Sequence, residues 1–289
     1  MRVKLVTYNI DGLPDTVDLE DLPWALKPLT WAYKLIKGTT IVPINDGTYP
    51  SDNSFKIGQY LASTEADIIV VQEDFNHHND LITALQDYNC GTYSGEISIN
   101  NTKWFPYPHC TADGLNLFTK GSIKSEEIKP WKASYGYFSH ANDKLTTKGF
   151  RSYCVTVNGV DIDVYVVHMD ADYYDPILHP DIVGDIKARK KQLTQLVKYI
   201  KSKGSDNPII ILGDTNSQDK YGWDEDNVKT TLIDQLGAKE AKCATSDVDR
   251  LFYIDGKTHK IEVKEAYYDD VGLSDHKPFV VTIEVGESE

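Results

Sequence analysis

A chain of 289 residues with 40% hydrophobic content is long enough to bury the core of one large α/β unit, and no stretch approaches the ~20 apolar residues of a membrane-spanning helix. Its formal charge of −14 argues against a protein that grips duplex nucleic acid along the backbone, which requires a basic surface. It suits a protein that gathers carboxylates around a cation.

In chain order, strand-like runs are expected at Val3–Tyr8, Ile68–Val71, Leu115–Thr119, Arg151–Val157, Asp161–His168, Ile209–Leu212, Arg250–Ile254 and Phe279–Val285. Several alternate apolar and polar residues, as strands with one covered face do; in "DIDVYVVH" Ile162, Val164 and Val166 share a side. A helical stripe of Phe55, Ile57, Leu61 and Ala62 precedes the second strand, and a stronger one runs through Ile186, Leu193, Leu196, Val197 and Ile200. The Lys and Arg face of the latter reads as solvated surface. No repeat, low-complexity segment or linker appears, so one domain is expected over residues 1–289, with two packed sheets and helices outside.

The alternation begins at Val3 with no secretory leader ahead of it, which fits a cytoplasmic protein; a trimmed leader, and hence export, would leave the same sequence. The cysteines Cys90, Cys110, Cys154 and Cys243 form no C-x-x-C pair, so no zinc site is expected. A Cys90–Cys110 bridge and free thiols both stand, because compartment decides between them.

Residues 15–50 form an insertion between the first two elements. It sets Trp24, Trp31 and Tyr33 beside Lys27, Lys34 and Lys37. Either a helical excursion packs its aromatics on the body, or the segment is a lid or an interfacial helix beside a site. Residues 93–109 and 131–140 invite the same two readings.

Polar residues collect at the strand ends. Asn9-Ile10-Asp11-Gly12 follows the first strand and Gln72-Glu73 the second. His168 ends another, with Asp170 two further on, and Gly213-Asp214-Thr215-Asn216 follows Ile209–Leu212. Asp249 opens "DRLFYI", and Ser274-Asp275-His276 precedes the last strand. Each alone is a common turn composition; together they mark the ends where layered α/β proteins build sites. Asp214 and Asn216 are expected to face one point, as side chains two apart in extended chain do. Oxygen ligands without thiolates suit Mg²⁺ or Mn²⁺, and a histidine beside a carboxylate suits a general base. The chemistry that uses such a set is metal-assisted phosphoester hydrolysis.

The ordered motifs "TYNIDGLP", "IIVVQED", "DGLNLFTK", "VVHMDAD", "IILGDTNS", "DRLFY" and "GLSDHKPF" resemble the endonuclease/exonuclease/phosphatase superfamily from Val3 to about Val285. The resemblance implies a DNase I-like four-layer α-β-β-α sandwich with two mixed β-sheets, and divalent-metal-dependent hydrolysis of phosphoesters. It implies Glu73 as the principal Mg²⁺ ligand, with Asn9, Asp11 and Asp275 on the metal side. It implies His276 as general base, oriented by Asp249, with Asp214 and Asn216 holding the attacking water or a phosphate oxygen. His168 would donate to the phosphate in the transition state, a place that apurinic endonucleases fill with tyrosine.

"HMDAD" and "DRLFY" resemble the sphingomyelinase-like branch, and "YNIDGLP" and "GDTN" the tyrosyl-DNA phosphodiesterase branch. The acidic total and the aromatic loops 15–50, 93–112, 131–147 and 172–184 favour a phospholipid headgroup or small phosphodiester, with peripheral membrane contact by a monomer. An end-processing nuclease and a non-catalytic binding relative are the alternatives. Asp113 and Asp170 read as surface-loop aspartates, with substrate contact as the other reading. His77, His78, His109, His140, His179 and His259 read as surface or loop histidines, and Arg189 and Gln192 as structural.

Overall fold

A computed structural model describes residues 1–12, 16–21, 27–43, 53–96, 99–101, 108–110, 112–136, 143, 146–172, 183–217, 228, 230–245 and 247–288. The strands are β1 (Arg2–Asn9), β2 (Thr16–Asp18), β3 (Ile41–Pro43), β4 (Ile68–Gln72), β5 (Asn89–Cys90), β6 (Ile99–Asn101), β7 (Pro108–Cys110) and β8 (Asn116–Thr119) in the first half. The second half adds β9 (Ser122–Pro130), β10 (Gly149–Val157), β11 (Val160–His168), β12 (Ile209–Asp214), β13 (Lys239–Glu240), β14 (Asp249–Ile254), β15 (His259–Tyr268) and β16 (Phe279–Glu287). The α-helices are α1 (Lys27–Lys37), α2 (Asn53–Ser63), α3 (His78–Thr83) and α4 (Val183–Lys203).

Every strand expected from the sequence forms. The long strands β9 and β15 were not foreseen, because their exposed, charge-rich sequences carry little alternation of apolar residues.

One six-stranded sheet runs β15-β16-β1-β4-β8-β5 and the other β13-β14-β12-β11-β10-β9. Each is mixed: β1 is parallel to β4 and β11 to β12, among otherwise antiparallel pairs.

The period of two sorts side chains between layers. Val3 and Leu5 of β1, Ile68 and Val70 of β4, Val164 and Val166 of β11, and Ile210 and Leu212 of β12 meet in one cluster between the sheets. Their neighbours Val6, Tyr8, Ile69 and Val71 face outward to Ile57 and Leu61 of α2. Tyr165, Val167 and Ile211 face outward to Leu193, Leu196 and Val197 of α4. The result is the expected four-layer α-β-β-α sandwich. At ~1.5–3 kcal/mol per buried large apolar side chain, the inter-sheet cluster is a major favourable term in folding. Asp185 in the first turn of α4 and Lys201 and Lys203 in its last turn complement the helix dipole.

Several readings of single residues change. Asp113 is buried and accepts from Arg151 Nε at 2.8 Å and Nη2 at 2.7 Å. Asp170 is wholly buried and accepts from the Tyr135 backbone N–H and from Gln192 Nε2. Neither is a surface-loop aspartate; each satisfies buried donors. His78 is not a surface histidine either. It sits 2.6 Å from Asp74 and stacks on Tyr93 with ring centroids 3.9 Å apart.

Arg189 and Gln192 do act structurally, on the Asp170 and Ala133 carbonyls respectively. Cys90 is a free thiol that donates to the Gly91 carbonyl. The helical excursion of the insertion exists as α1, but Trp31 does not pack on the body. Trp24, His140, His179 and parts of each loop assigned to selectivity lie outside the described residues, as does the His109 side chain.

Candidate active site

The inter-sheet parity decides which polar residues converge. In β1 the inward positions are Val3, Leu5, Thr7 and then Asn9; in β11 they end on His168, and in β12 on Asp214. Asp249 starts β14 two residues before the inward Leu251. His168 and Asp214 are register partners across the parallel β11–β12 pair, and Asp214 and Asp249 across the antiparallel β12–β14 pair. These three therefore form a row at one end of the second sheet. Asn9, paired in register with Gln72, caps the facing sheet at the same end.

Hydrogen bonds tie the two rows together. Asn9 Nδ2 donates to Glu73 Oε1 at 2.9 Å and to Asp214 Oδ2 at 3.2 Å, bridging the sheets. His168 Nε2 lies 3.4 Å from Asp214 Oδ2 and 3.8 Å from Glu73 Oε1. His276 Nδ1 lies 2.6 Å from Asp249 Oδ2, and its Nε2 4.0 Å from Asp214 Oδ2. Ser274 Oγ donates to the Asn9 carbonyl at 2.8 Å and accepts from the His276 backbone N–H at 3.2 Å, so it docks the 274–276 turn onto β1.

Backbone geometry fixes the rims. Glu73 has φ 62°, Asp11 φ 47° and Asn216 φ 49°, all in the left-handed region that non-glycine residues seldom occupy. Gly12 lies against the Glu73 carbonyl so closely that a Cβ would sit 2.2 Å from that oxygen. Gly213, at φ +138°, leaves 2.1 Å between a Cβ and the Val167 carbonyl. Both are places where only glycine lets the chains approach.

Asp214 and Asn216 are held by a different route from the one expected. The Asn216 backbone N–H donates to Asp214 Oδ1 at 2.8 Å, and its Nδ2 to the Met169 carbonyl at 2.9 Å. Because the chain turns after Asp214, the two side chains are placed by these bonds and not by strand alternation. Asp11 contributes its backbone N–H to Asn9 Oδ1 at 3.1 Å.

Electrostatics sets the two histidines apart. Burial lowers His168 well below the ordinary imidazole range, and Lys148 adds to the effect, outweighing Asp214; His168 is neutral. Burial also opposes the charge on His276, but Asp249, then Asp214 and Asp275, override it and push His276 up to about 11. The proton of the His276–Asp249 pair therefore resides on the imidazole. Burial raises Asp214, but His276, His168 and Lys148 outweigh it and hold the carboxyl below its usual range, so it is ionised. Burial pushes the Glu73 carboxyl up, against Lys148 and the Asn9 hydrogen bond. A pair of imidazoles driven to opposite charge states in one cleft is an arrangement suited to acid–base work.

The sequence reading missed Lys148. Its ammonium is buried, 2.6 Å from Asp143 Oδ1, and donates to the Met169 carbonyl at 3.3 Å. Burial works against its charge, but Asp143, Glu73 and Asp214 keep it protonated. Lys148 immediately precedes the antiparallel strand β10, whose start lies at the same end of the sheet as the exit of β11. Two supports were also missed: Trp131 Nε1 donates to the His168 carbonyl at 2.7 Å, and the Tyr268 hydroxyl to the Asp249 carbonyl at 2.6 Å.

Among the described residues no three His, Cys, Asp or Glu side chains form a ready-made metal cage. Mg²⁺ does not require one, because one or two carboxylates with water and substrate oxygens complete its shell. The donors at hand fit that requirement. Glu73 is more open than Asp214, with 18% of its side chain exposed against 2%. Asn9 Oδ1 lies on the same amide that bonds Glu73, and Asp275 is within electrostatic reach of Glu73. All are hard oxygen ligands.

The fold and this end-on cleft define a DNase I-like α-β-β-α sandwich. The architecture is shared, at 18% identity and a TM-score of 0.62, with beta toxin from Staphylococcus aureus, over 96% of this chain and 99% of that one. It is shared with sphingomyelinase C from Streptomyces griseocarneus at 16% identity and a TM-score of 0.61, over 98% and 99% of the two chains. It is shared also with D. rerio TDP2 complexed with single-strand DNA product, at 15% identity and a TM-score of 0.59, over 98% and 99%. No family model and no curated protein matches the sequence.

Proposed function

We propose that the chain is a divalent-metal-dependent phosphodiesterase of the endonuclease/exonuclease/phosphatase family, acting on a phospholipid headgroup or a small phosphodiester. The observation that carries this reading is the convergence of Asn9, Glu73, His168, Asp214, Asp249 and His276 at one end of both sheets, with His168 neutral and His276 paired to Asp249. Support for the cation comes from the hard oxygen donors and from a beta toxin variant of the same fold that holds bound magnesium ions.

Glu73, Asn9 Oδ1 and Asp275 would hold Mg²⁺ or Mn²⁺, with Asp11 beside them. When bound, the cation supplies positive charge to the phosphate oxygens and offsets the carboxylates around them. Asp249 fixes the ring of His276 through Nδ1, so that Nε2 faces Asp214 across 4.0 Å. With those carboxylates offset, the charge that holds the proton on His276 is relieved, and the imidazole in its neutral form can accept at Nε2 the proton of a water bonded to both groups while that water's oxygen attacks phosphorus. The new P–O bond forms as the bond to the leaving oxygen breaks, and a proton is then returned to that oxygen. Asp214 orients the water. Asn216, whose amide is anchored on Met169, presents Oδ1 to the water or, through its second Nδ2–H, meets a phosphate oxygen. His168 donates Nε2–H to a non-bridging oxygen as charge builds there, and Lys148 adds a fixed positive potential.

The test is hydrolysis of a panel with Mg²⁺, Mn²⁺ or chelator. It contains bis-p-nitrophenyl phosphate, a choline phospholipid, an inositol polyphosphate, single-stranded oligonucleotides and a 5′-tyrosyl oligonucleotide. Metal-dependent turnover of the phospholipid or the small diester, lost in His276→Ala, is expected. Turnover confined to the oligonucleotides would make it an end-processing nuclease. Silence of the wild type with every substrate would make it a non-catalytic binding relative.

A further inference from the structure

The insertion after β1 carries a helix whose apolar side is turned away from the protein. On α1, Trp31 is 69%, Leu35 63% and Ile36 79% exposed, whereas Thr30 is 6% exposed and bonds through Oγ1 to the Leu19 carbonyl. With ~3.6 residues per turn, Trp31 stacks over Leu35 and Ala32 over Ile36, and the two rows lie opposite Thr30. A surface helix ordinarily turns its apolar stripe inward; this one is anchored by its polar side. The arrangement leaves three large apolar side chains together in water, which calls for an occupant.

Charge says what the occupant is. From Leu22 to Asn45 the sequence holds no Asp or Glu, in a chain with 44 of them, but holds Lys27, Lys34 and Lys37. The lysines occupy the polar flank, where Lys34 pairs with the Glu20 carboxylate at 2.9 Å and Lys27 with the Glu20 carbonyl. Long lysine stems let the ammonium groups stay at headgroup level while the apolar row goes deeper. A second copy of the chain is a poorer fit. An 11-residue helix is ~16 Å long and ~10 Å wide, far short of the ~800 Å² per partner of a stable interface. A dimer would also bring two strongly acidic chains together.

The ribbon that carries the helix leaves the body beside the site. Gly12 touches the Glu73 carbonyl, and β2 begins at Thr16, so at ~3.6 Å per residue the ribbon β2–β3 that carries α1 starts within ~14 Å of it.

We propose that α1 is an interfacial helix that lays Trp31, Leu35 and Ile36 into a phospholipid surface, with Lys27, Lys34 and Lys37 at headgroup level, and so holds the cleft at the membrane. The inference rests on the phosphodiesterase reading for its purpose, and its test does not depend on turnover.

The full chain is spun with vesicles of phosphatidylcholine, with and without phosphatidylserine, and hydrolysis of soluble bis-p-nitrophenyl phosphate is measured in parallel. Wild type is expected to sediment with both, more strongly when phosphatidylserine is present, and that increment is expected to fade with added salt. The W31A/L35A/I36A variant should partition at least ~100-fold more weakly, with unchanged hydrolysis of the soluble diester as evidence that it folds. Leu35→Gln alone should lower partition roughly 10-fold if the triple variant is unstable.

Wild type that remains in the supernatant with both vesicles overturns the proposal, as does a triple variant that binds like wild type. A wild-type dimer that the variant dissociates also overturns it, because a second copy then covers the face. Vesicle binding by a chain that hydrolyses nothing would sustain the docking helix and sink the catalytic reading instead.

Discussion

Replacing Asp249 by Asn tests the site most directly. The carboxylate is buried and lies 2.6 Å from His276 Nδ1. Asparagine preserves volume and can still accept from Nδ1–H, so the change removes charge and little else. Unit charges ~4 Å apart at an effective dielectric of ~20 interact by ~4 kcal/mol. That stabilisation is available only when His276 has taken the water's proton, so most of it is lost from the transition state. At ~1.36 kcal/mol per decade, kcat should fall by roughly 10²- to 10³-fold. The assay is Mg²⁺-dependent hydrolysis of bis-p-nitrophenyl phosphate by wild type, Asp249→Asn, His276→Ala and the double variant. Residues that act as one unit are strongly non-additive, so Asp249→Asn should cost less than about 3-fold once His276 is alanine. Full additivity of the two losses, or wild-type turnover by Asp249→Asn, would refute the orienting role.

Glu73→Gln should reduce metal-dependent turnover by roughly 10²-fold or more and raise the Mg²⁺ concentration needed, read by titrating the metal; an unchanged Mg²⁺ profile would remove Glu73 from the metal side. The His276–Asp249 pair should contribute stability that is fully present below the unfolded imidazole's ~6.5 and lost as pH rises toward about 11. In chelator, the Tm deficit of His276→Ala should therefore shrink between about pH 7 and about pH 10, and a constant deficit would place the proton elsewhere. Lys148→Met strips the partner from buried Asp143 and should cost about 3 kcal/mol or more in denaturant unfolding, part of which Asp143→Asn should restore; a cost under ~1 kcal/mol would mean the pair is solvated. Gly213→Ala forces a Cβ onto the Val167 carbonyl and should destabilise by more than about 2 kcal/mol, with a wild-type Tm as the contrary result.

Local sequence carried the strand and helix assignments wherever one face is buried and the other is not. It failed at β9 and β15, whose exposure erases the alternation that marks a strand. It also carried the candidate residues, because a polar side chain just past an apolar strand is a local pattern. Asn9, Glu73, His168 and Asp214 stand out in that way, with Asp249 opening a strand and His276 just before one, and strand parity already fixes the face of Asn9, His168, Asp214 and Asp249. The burial of Asp113, Asp170 and His78 was not legible, since a loop aspartate reads alike whether or not Arg151 or Gln192 reaches it from another strand or helix.

The joining of the two sheets through Asn9 to Asp214, and of His276 to Asp249 across the second sheet's end, depends on contacts more than 25 residues apart. So do the opposite charges of the two imidazoles, which arise from burial and from neighbours such as Lys148 that no local window contains. The outward turn of Trp31, Leu35 and Ile36 was likewise undecided by the amphipathic sequence of α1, because periodicity defines a face but not what lies against it. Sequence chose the residues and, within the strands, their faces; only packing brought them to one cleft and set their protons.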